Sequence, residues 1–195
     1  KPKKKQDDSF LDAISKRDAI TGKRSLNVQN ELAAYKQGRN TLNSLIKDYR
    51  NRGLAVLGAG NPDYDRVARI SKRIIAASHY ATRKGVRFEV IDSNEVNAFA
   101  TGGGHYVVHT GLMNRLNDDE LAFVIAHELV HNVAGHIEEQ LPILLLNIKK
   151  GVPASIAYSN VQEQEADKVA LVYTALAGYN PCAGVSWIGK MPLQL

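Results

Sequence analysis

The stretch HELVH carries two histidines four residues apart, His127 and His131, with Glu128 directly after the first. On an α-helix, positions four apart lie on the same face, so both imidazoles can point at one ion. Zinc binds neutral imidazole nitrogen in a tetrahedral shell and, at a catalytic site, leaves one position for water. Glu128 is rotated by about 100° from His127, where a general base can take a proton from that water. The stretch therefore predicts a zinc site with Glu128 as its base.

A zinc site of this kind needs a third protein ligand. The pattern HExxHxxGxxH would supply it nearby, but this chain has Ala134 and Ile137 where that pattern requires glycine and histidine. The later stretch EQEAD fits a second scheme, because Glu163 and Asp167 share one face of a predicted helix. We expect Glu163 to bind zinc and Asp167 to accept a hydrogen bond from the outer nitrogen of His127.

Other histidines have two interpretations each. His136 either joins the site, together with Glu138 or Glu139, or belongs to a solvated helix end. His105 and His109 share one face of a predicted strand, so they either reach a substrate cleft or lie on a half-exposed strand face.

Two further residues are weaker candidates, and the metal hypothesis itself has an alternative. Tyr158 precedes the Glu163 helix and could donate a hydrogen bond to an oxyanion, whereas Glu165 lies about 200° around that helix from Glu163. The alternative to a metal site is a buried helix with incidental histidines whose polar edges find hydrogen bonds. Two observations favour the metal site. His and Glu on a buried apolar helix are unfavourable unless they are satisfied, and the later EQEAD stretch supplies a matching third ligand.

Bulk composition excludes several classes of protein. The chain has 195 residues and a net charge of +5, part of it in the opening KPKKK, where no aromatic residues are interleaved. We therefore expect no nucleic-acid partner. Cys182 is the single cysteine, so a thiolate zinc site is excluded. The longest apolar runs, 121–126 and 143–146, are far shorter than the roughly 20 residues of a membrane span.

The first third of the chain reads as a separate arm. Apolar spacing within 25–52 predicts a long helix, polar and interrupted by Gly38, which we expect to pack along the body rather than form its core. A glycine- and proline-rich break at 57–62 then predicts a boundary. We expect a basic tail and helical arm over 1–60 and a domain that contains the predicted zinc site over 61–195.

The remainder is predicted to contain both helices and strands. Periodicity predicts helices over 63–80 and 161–178 and strands over 86–93 and 105–110. The motif helix should begin at Asn117, because Glu120 three residues later completes a capping box.

Three stretches in this order resemble a known family: NAFATGGGHYVVH, then LNDDELAFVIAHELVHNVAGH, then EQEADKVALVYTALAGYNP. They are similar to the gluzincin zinc endopeptidases typified by HtpX, the CAAX prenyl endopeptidase and the periplasmic protease BepA. The resemblance covers roughly residues 62–190. It implies an α+β, mainly helical gluzincin-type metalloprotease domain with a small β-sheet beside the HExxH helix.

The resemblance also implies a function. His127, His131 and Glu163 would be zinc ligands, and Glu128 the catalytic base; Asn97 and the 105–109 strand would line the substrate cleft. Family substrates are polypeptides that add as a strand to the sheet edge. The chain lacks the spanning helices of membrane members, which implies a soluble protein of the bacterial periplasm or cell envelope that acts in protein quality control.

A second function remains open at the level of the sequence. The segment 141–155 could plug the cleft of a latent or chaperone-like binding module, in which the metal site is structural. A fourth protein ligand such as His136 would favour that alternative, because structural zinc sites are closed.

Family members also commonly continue into a segment with His and Arg, which this chain, ending at Leu195, does not show.

Overall fold

The computed structural model describes residues 16–17, 24–25, 31–81, 85–137, 144, 146, 150 and 158–188. The strands are β1 Lys16–Arg17, β2 Arg24–Ser25, β3 Ala55–Leu57, β4 Phe88–Asp92, β5 Ala98–Gly102 and β6 His105–His109. The helices are α1 Glu31–Asn51, α2 Pro62–Ala77, α3 Thr110–Met113, α4 Asp118–Val133, α5 Asn160–Leu176 and α6 Ala183–Ile188. In these ranges the protein is α+β and mainly helical.

A small mixed sheet lies at the centre, with strand order β3-β4-β6-β5. β3 runs antiparallel to β4, β4 parallel to β6, and β5 antiparallel to β6 as a hairpin. All five residues of β6 are buried, because helices cover both faces of the sheet. β5 therefore stands at one edge of this sheet, and the short β1–β2 ladder is separate from it.

The larger core lies between one face of the sheet and three helices. Tyr106 and Val108 of β6 point into it and pack with Ile70 of α2, Leu129 of α4 and Ala170 of α5. All five side chains are 0% exposed. α4 is central to this core, since every residue from 120 to 131 is buried. A helix that is apolar nearly all round belongs inside a protein.

A second core lies on the opposite face of the sheet, under α1. Leu42 and Leu45 of α1 are 0% and 1% exposed, and they cluster with Ile91, Phe99 and Val107 of the sheet. The prediction that this helix packs along the body without forming core was wrong. Its composition is polar, but Leu42, Leu45, Ile46 and Tyr49 lie on one face, and that face is buried against the sheet.

The sequence suggested that Gly38 interrupts α1, but the helix is continuous there. The glycine instead lets α1 approach the sheet. A Cβ at Gly38 would lie 2.1 Å from the carbonyl oxygen of Gly102, at the end of β5. The Thr101 hydroxyl donates to the carbonyl of Gly38 at 3.4 Å. The glycine is therefore required by close contact between two backbones.

The remaining elements follow the predicted ones closely. The helix expected over 63–80 is Pro62–Ala77, with Asn61 as its N-cap, and the strand expected over 86–93 is Phe88–Asp92. β3 was missed, because three residues are too few to show a period. It pairs with β4, and the division of the chain at residue 60 remains a proposal. None of the described helices has the length and apolarity needed to cross a membrane.

Candidate metal centre

The helix α4 begins as its sequence predicts and presents the motif inside the protein. The Asn117 side chain accepts a hydrogen bond from the backbone N–H of Glu120, and the Glu120 carboxylate accepts one from the N–H of Asn117. This reciprocal cap fixes the start of the helix. His127 and His131 then follow on one side, 3% and 0% exposed. Two buried imidazoles next to a buried carboxylate need polar partners.

The third group comes from α5, which packs along α4. The Nε2 atoms of His127 and His131 are 2.9 Å apart. Glu163 approaches both, with one carboxylate oxygen 3.3 Å from His127 Nε2 and the other 3.6 Å from His131 Nε2. In the described residues these three side chains form a set whose ligand atoms all lie within 4.8 Å of one another.

This donor set suits a tetrahedral metal ion. Two ligand atoms that each lie about 2.0–2.1 Å from such an ion are about 3.3 Å apart, and the three separations bracket that value. His127 Nδ1 is 2.9 Å from Asp167 Oδ1, so the imidazole donates there and its Nε2 faces His131 and Glu163. A cation in this position, either a proton on Nε2 or a metal ion in its place, offsets the repulsion between the groups that face one another.

The charged neighbours act strongly on His127. Burial alone would lower its pKa, but hydrogen bonds to the Asp167 and Glu163 carboxylates raise the pKa to about 10. His131 has the opposite balance: burial, with the positive charge of neighbouring His127, holds its pKa far below the ordinary value. In protein sites of this kind, the carboxylate on the outer nitrogen fixes both the tautomer and the ring orientation.

Glu128 lies beside these groups and is 8% exposed. Burial, partly opposed by His127 and reinforced by Glu163, raises its pKa to about 7. Its Oε2 has no hydrogen-bond partner among the described residues. A carboxylate with a pKa near the working pH and an oxygen free to bind a proton has the properties of a general base.

Aromatic rings cover the two histidines. The Tyr158 ring stacks on His131, with centroids 3.6 Å apart and planes 10° from parallel. The Trp187 ring of α6 lies 5.7 Å from that of His127. The sequence named Tyr158 for its hydroxyl only, which is buried without a partner among the described residues; the oxyanion role stays a prediction. Nothing in the sequence pointed to Trp187, because an aromatic residue in a short helix usually means core packing.

His136 lies beside the candidate site and not at a solvated helix end. It is 8% exposed rather than solvated, and its Nδ1 is 3.0 Å from His131 Nδ1, the nitrogen that points away from Glu163. It therefore lies behind a candidate ligand. Glu138 and Glu139, predicted to join it, fall outside the described residues, as does most of the segment 141–155.

His105 and His109 are on the other face of the sheet, contrary to both interpretations of them. Each is 0% exposed and faces α1. The His105 ring lies 4.8 Å from that of Tyr35, and His109 Nε2 is 2.9 Å from the Tyr49 hydroxyl. The strand period correctly put them on one face, but that face is covered by α1. The prediction that they line the cleft with His127 was therefore wrong for this structure.

Asn97 lies just before the edge strand β5. Its carbonyl accepts a hydrogen bond from the N–H of His109 at 3.1 Å, which extends the β5–β6 hairpin. Ala100 of β5 packs with Ile137 and half-buried Tyr158, so this strand runs beside the site. The role of the Asn97 side chain stays a prediction.

Comparisons with known proteins agree with this geometry. Residues 63–151 match the model of peptidase family M48. The chain is 37% identical over 131 residues to the mitochondrial metalloendopeptidase OMA1 of Arabidopsis thaliana, which covers 57% of this chain and 26% of that protein. It is 32% identical over 114 residues to the metalloprotease YcaL of Escherichia coli, 56% of this chain and 44% of that protein.

A third relative is the beta-barrel assembly-enhancing protease of Yersinia pestis, 26% identical over 155 residues, 64% of this chain and 32% of that protein. The chain thus spans less than half the length of each of these three relatives. The family match includes His127, Glu128 and His131 and stops short of Glu163. The match to this family implies a divalent metal ion, which the donor set fits. Residues 63–151 thus carry a domain of peptidase family M48.

Proposed function

We propose that the protein is a zinc-dependent endopeptidase that hydrolyses polypeptides. The observation that carries the proposal is the convergence of His127, His131 and Glu163, with a buried carboxylate, Glu128, beside them. Two imidazoles and one carboxylate leave a fourth position of a tetrahedral shell for water or substrate. The names of the three relatives support the same reaction, since two are named as metallopeptidases and the third as a protease.

The residues divide the work of hydrolysis between them. A bound zinc ion would supply Lewis acidity toward the scissile carbonyl and toward water. Glu128 accepts a proton from the attacking water as the water oxygen bonds to the carbonyl carbon. Glu128 then passes that proton to the amide nitrogen as the carbon–nitrogen bond breaks, so that the products are a carboxyl and an amine. Asp167 keeps the His127 ring in place through its outer nitrogen.

The substrate is proposed to bind as an extended strand along β5. An edge strand offers a row of backbone N–H and C=O groups that a peptide can pair with. β5 occupies the edge of the described sheet, and its residue Ala100 packs with Tyr158 at the site. This supports an endopeptidase, because both ends of a bound strand can extend beyond the cleft.

The cellular setting is proposed from the family resemblance. The bacterial periplasm or cell envelope, with a role in protein quality control, is the setting that the resemblance implies, and two of the three relatives are bacterial. The third is named as mitochondrial, so a mitochondrial setting is the alternative. Fractionation of cells that express the whole protein distinguishes the two settings.

Glu128→Gln tests the catalytic assignment. We expect zinc content to equal that of the wild type and casein cleavage to fall by about 10²–10⁴-fold, since the amide cannot accept the proton. Glu89→Gln is the control, because Glu89 is a carboxylate of β4 that pairs with Arg87 at 2.7 Å. Equal cleavage by Glu128→Gln and wild type would remove Glu128 from the mechanism. A wild type that neither binds zinc nor cleaves would overturn the proposal.

The latent or chaperone-like module is the weaker alternative. A closed structural site requires a fourth protein ligand, and His136 was the residue named for it. Its imidazole meets the outer nitrogen of His131, 3.0 Å away, rather than the Nε2 that faces Glu163. The geometry therefore supports an open catalytic site.

A further inference from the structure

The C-terminal cap of α4 brings His136 back beside the motif. Gly135 follows the helix with φ +73, a left-handed conformation that glycine adopts without strain. The N–H of His136 then donates to the carbonyl of His131 at 3.1 Å. A hydrogen bond between residues five apart, around a left-handed glycine, is the Schellman cap. The cap is thus what makes the two imidazoles neighbours.

A carboxylate from α5 stands behind His136. Glu165 Oε2 is 3.5 Å from His136 Nε2, and the Glu165 side chain is only 19% exposed. The three groups form a row in which Glu165 faces one nitrogen of His136 and His131 faces the other. A carboxylate thus stands behind each motif histidine: Asp167 contacts His127 directly, and Glu165 reaches His131 through His136.

The tautomers of this row follow from the direction of the ligand nitrogen. His131 must keep a lone pair on Nε2 to bind an ion with Glu163, so its proton is on Nδ1. Only one proton fits between two Nδ1 atoms 3.0 Å apart, so the Nδ1 of His136 accepts it. The remaining proton of His136 is then on Nε2, which is the nitrogen that faces Glu165.

We propose that Glu165 and His136 are positioning residues that hold His131 in its metal-binding tautomer and orientation. α5 would then supply one ligand, Glu163, and two carboxylates that act through the motif histidines. This inference rests on the proposed zinc site. It assigns a role to Glu165 and His136 that neither the HExxH pattern nor the position of Glu163 requires.

The test is zinc affinity, measured by chelator competition on the whole chain, with the cobalt-substituted absorption spectrum as a second readout. His136→Leu removes the acceptor, and we expect about 10–100-fold weaker zinc binding and an altered cobalt spectrum. His136→Asn keeps an acceptor oxygen for the Nδ1–H of His131 and should recover most of the affinity. Glu165→Leu should weaken binding less, and the double variant with His136→Leu should be no weaker than His136→Leu alone.

His79→Leu is the control, since His79 also bonds to a side chain of α5, the Tyr173 hydroxyl, which is 94 positions away in sequence and outside the donor set. We expect it to leave zinc affinity unchanged. Thermal melting of each metal-free variant separates a folding defect from a metal defect. Equal affinity of His136→Leu and wild type would overturn the inference. A loss of zinc affinity in His136→Asn as large as that in His136→Leu would also overturn it. A wild type without zinc affinity would instead overturn the proposed function itself.

Discussion

At the scale of single residues, the candidate ligand His131 is held by two contacts besides those of the donor set. The Tyr158 ring covers one face of His131, with planes 10° from parallel, and His136 meets its outer nitrogen. A ligand imidazole that cannot rotate loses little conformational freedom on binding an ion, so these contacts favour affinity. In this picture the Tyr158 ring contributes to metal affinity by stacking on His131, whereas its hydroxyl makes no contact with the histidine.

Tyr158→Phe and Tyr158→Ala separate them. Phe retains the stacked ring and removes a hydroxyl that has no partner among the described residues, so we expect unchanged zinc affinity and no loss of stability. Ala uncovers the His131 face, and we expect roughly 10-fold weaker zinc binding. Chelator competition measures both variants. A loss of affinity in the Phe variant equal to that in the Ala variant would contradict a role for the ring.

Spacing along one helix was enough to predict the residues that share a helix face. It was not enough to predict the surroundings of His136 and His109, which depend on other segments of the chain. His127 with His131, and Glu163 with Asp167, are both four apart, and the structure brings the four side chains together. The position of His136 behind His131 was not predicted, because it depends on a left-handed glycine after the helix. A strand period could not reveal that α1 covers the side of His109.

At the scale of elements, the distance between α1 and the sheet depends on a glycine. The carbonyl of Gly102 occupies the place of a Cβ on Gly38, so any larger residue pushes two backbones apart. Backbone cannot change rotamer to relieve such a clash. The same helix seals the face on which Val107 and Phe99 lie, so a displaced α1 would weaken the second core.

Gly38→Ala tests this contact against Gly58→Ala. A Cβ at Gly38 would be 2.1 Å from a backbone oxygen, whereas a Cβ at Gly58 meets nothing within 4 Å. We expect the Gly38 variant to lose about 1–3 kcal/mol of unfolding free energy, despite the better helix propensity of alanine. The Gly58 variant should be neutral or gain up to about 1 kcal/mol. Urea unfolding measures the two; equal midpoints would disprove the contact.

Element prediction succeeded where a long period or a cap was present. α4 begins at the capping box that Asn117 and Glu120 announce, and α5 ends one residue before the Ala177–Gly178 cap. The helix α1 was also predicted, but its burial was not, because the average polarity of the helix concealed one strongly apolar face. Sequence alone does not state which partner a face will meet, and the sheet surface that α1 covers is built from strands about 40–60 residues later.

At the scale of the whole molecule, the predicted arm and the predicted metallopeptidase domain share their interior. β3 continues the sheet next to β4, and Leu42, Leu45 and Tyr49 of α1 are at most 1% exposed. The site lies on the opposite face of the same sheet, where α4 packs on Tyr106 and Val108. One sheet therefore separates the two cores, and removal of either helix layer exposes an apolar sheet face to water.

A chain of residues 61–195 tests whether the predicted domain folds without the arm. Burial of three large apolar side chains such as Leu42, Leu45 and Tyr49 contributes about 5–9 kcal/mol, which is comparable to the roughly 5–15 kcal/mol total stability of a domain. We expect the shortened chain to lack a cooperative thermal transition and to bind zinc weakly, because α4 loses a rigid sheet to pack on. A chain of residues 27–195 is the control, since it keeps α1 and β3, and it should melt like the whole protein. Cooperative melting of the 61–195 chain within a few degrees of the control would show that residue 60 is a true domain boundary.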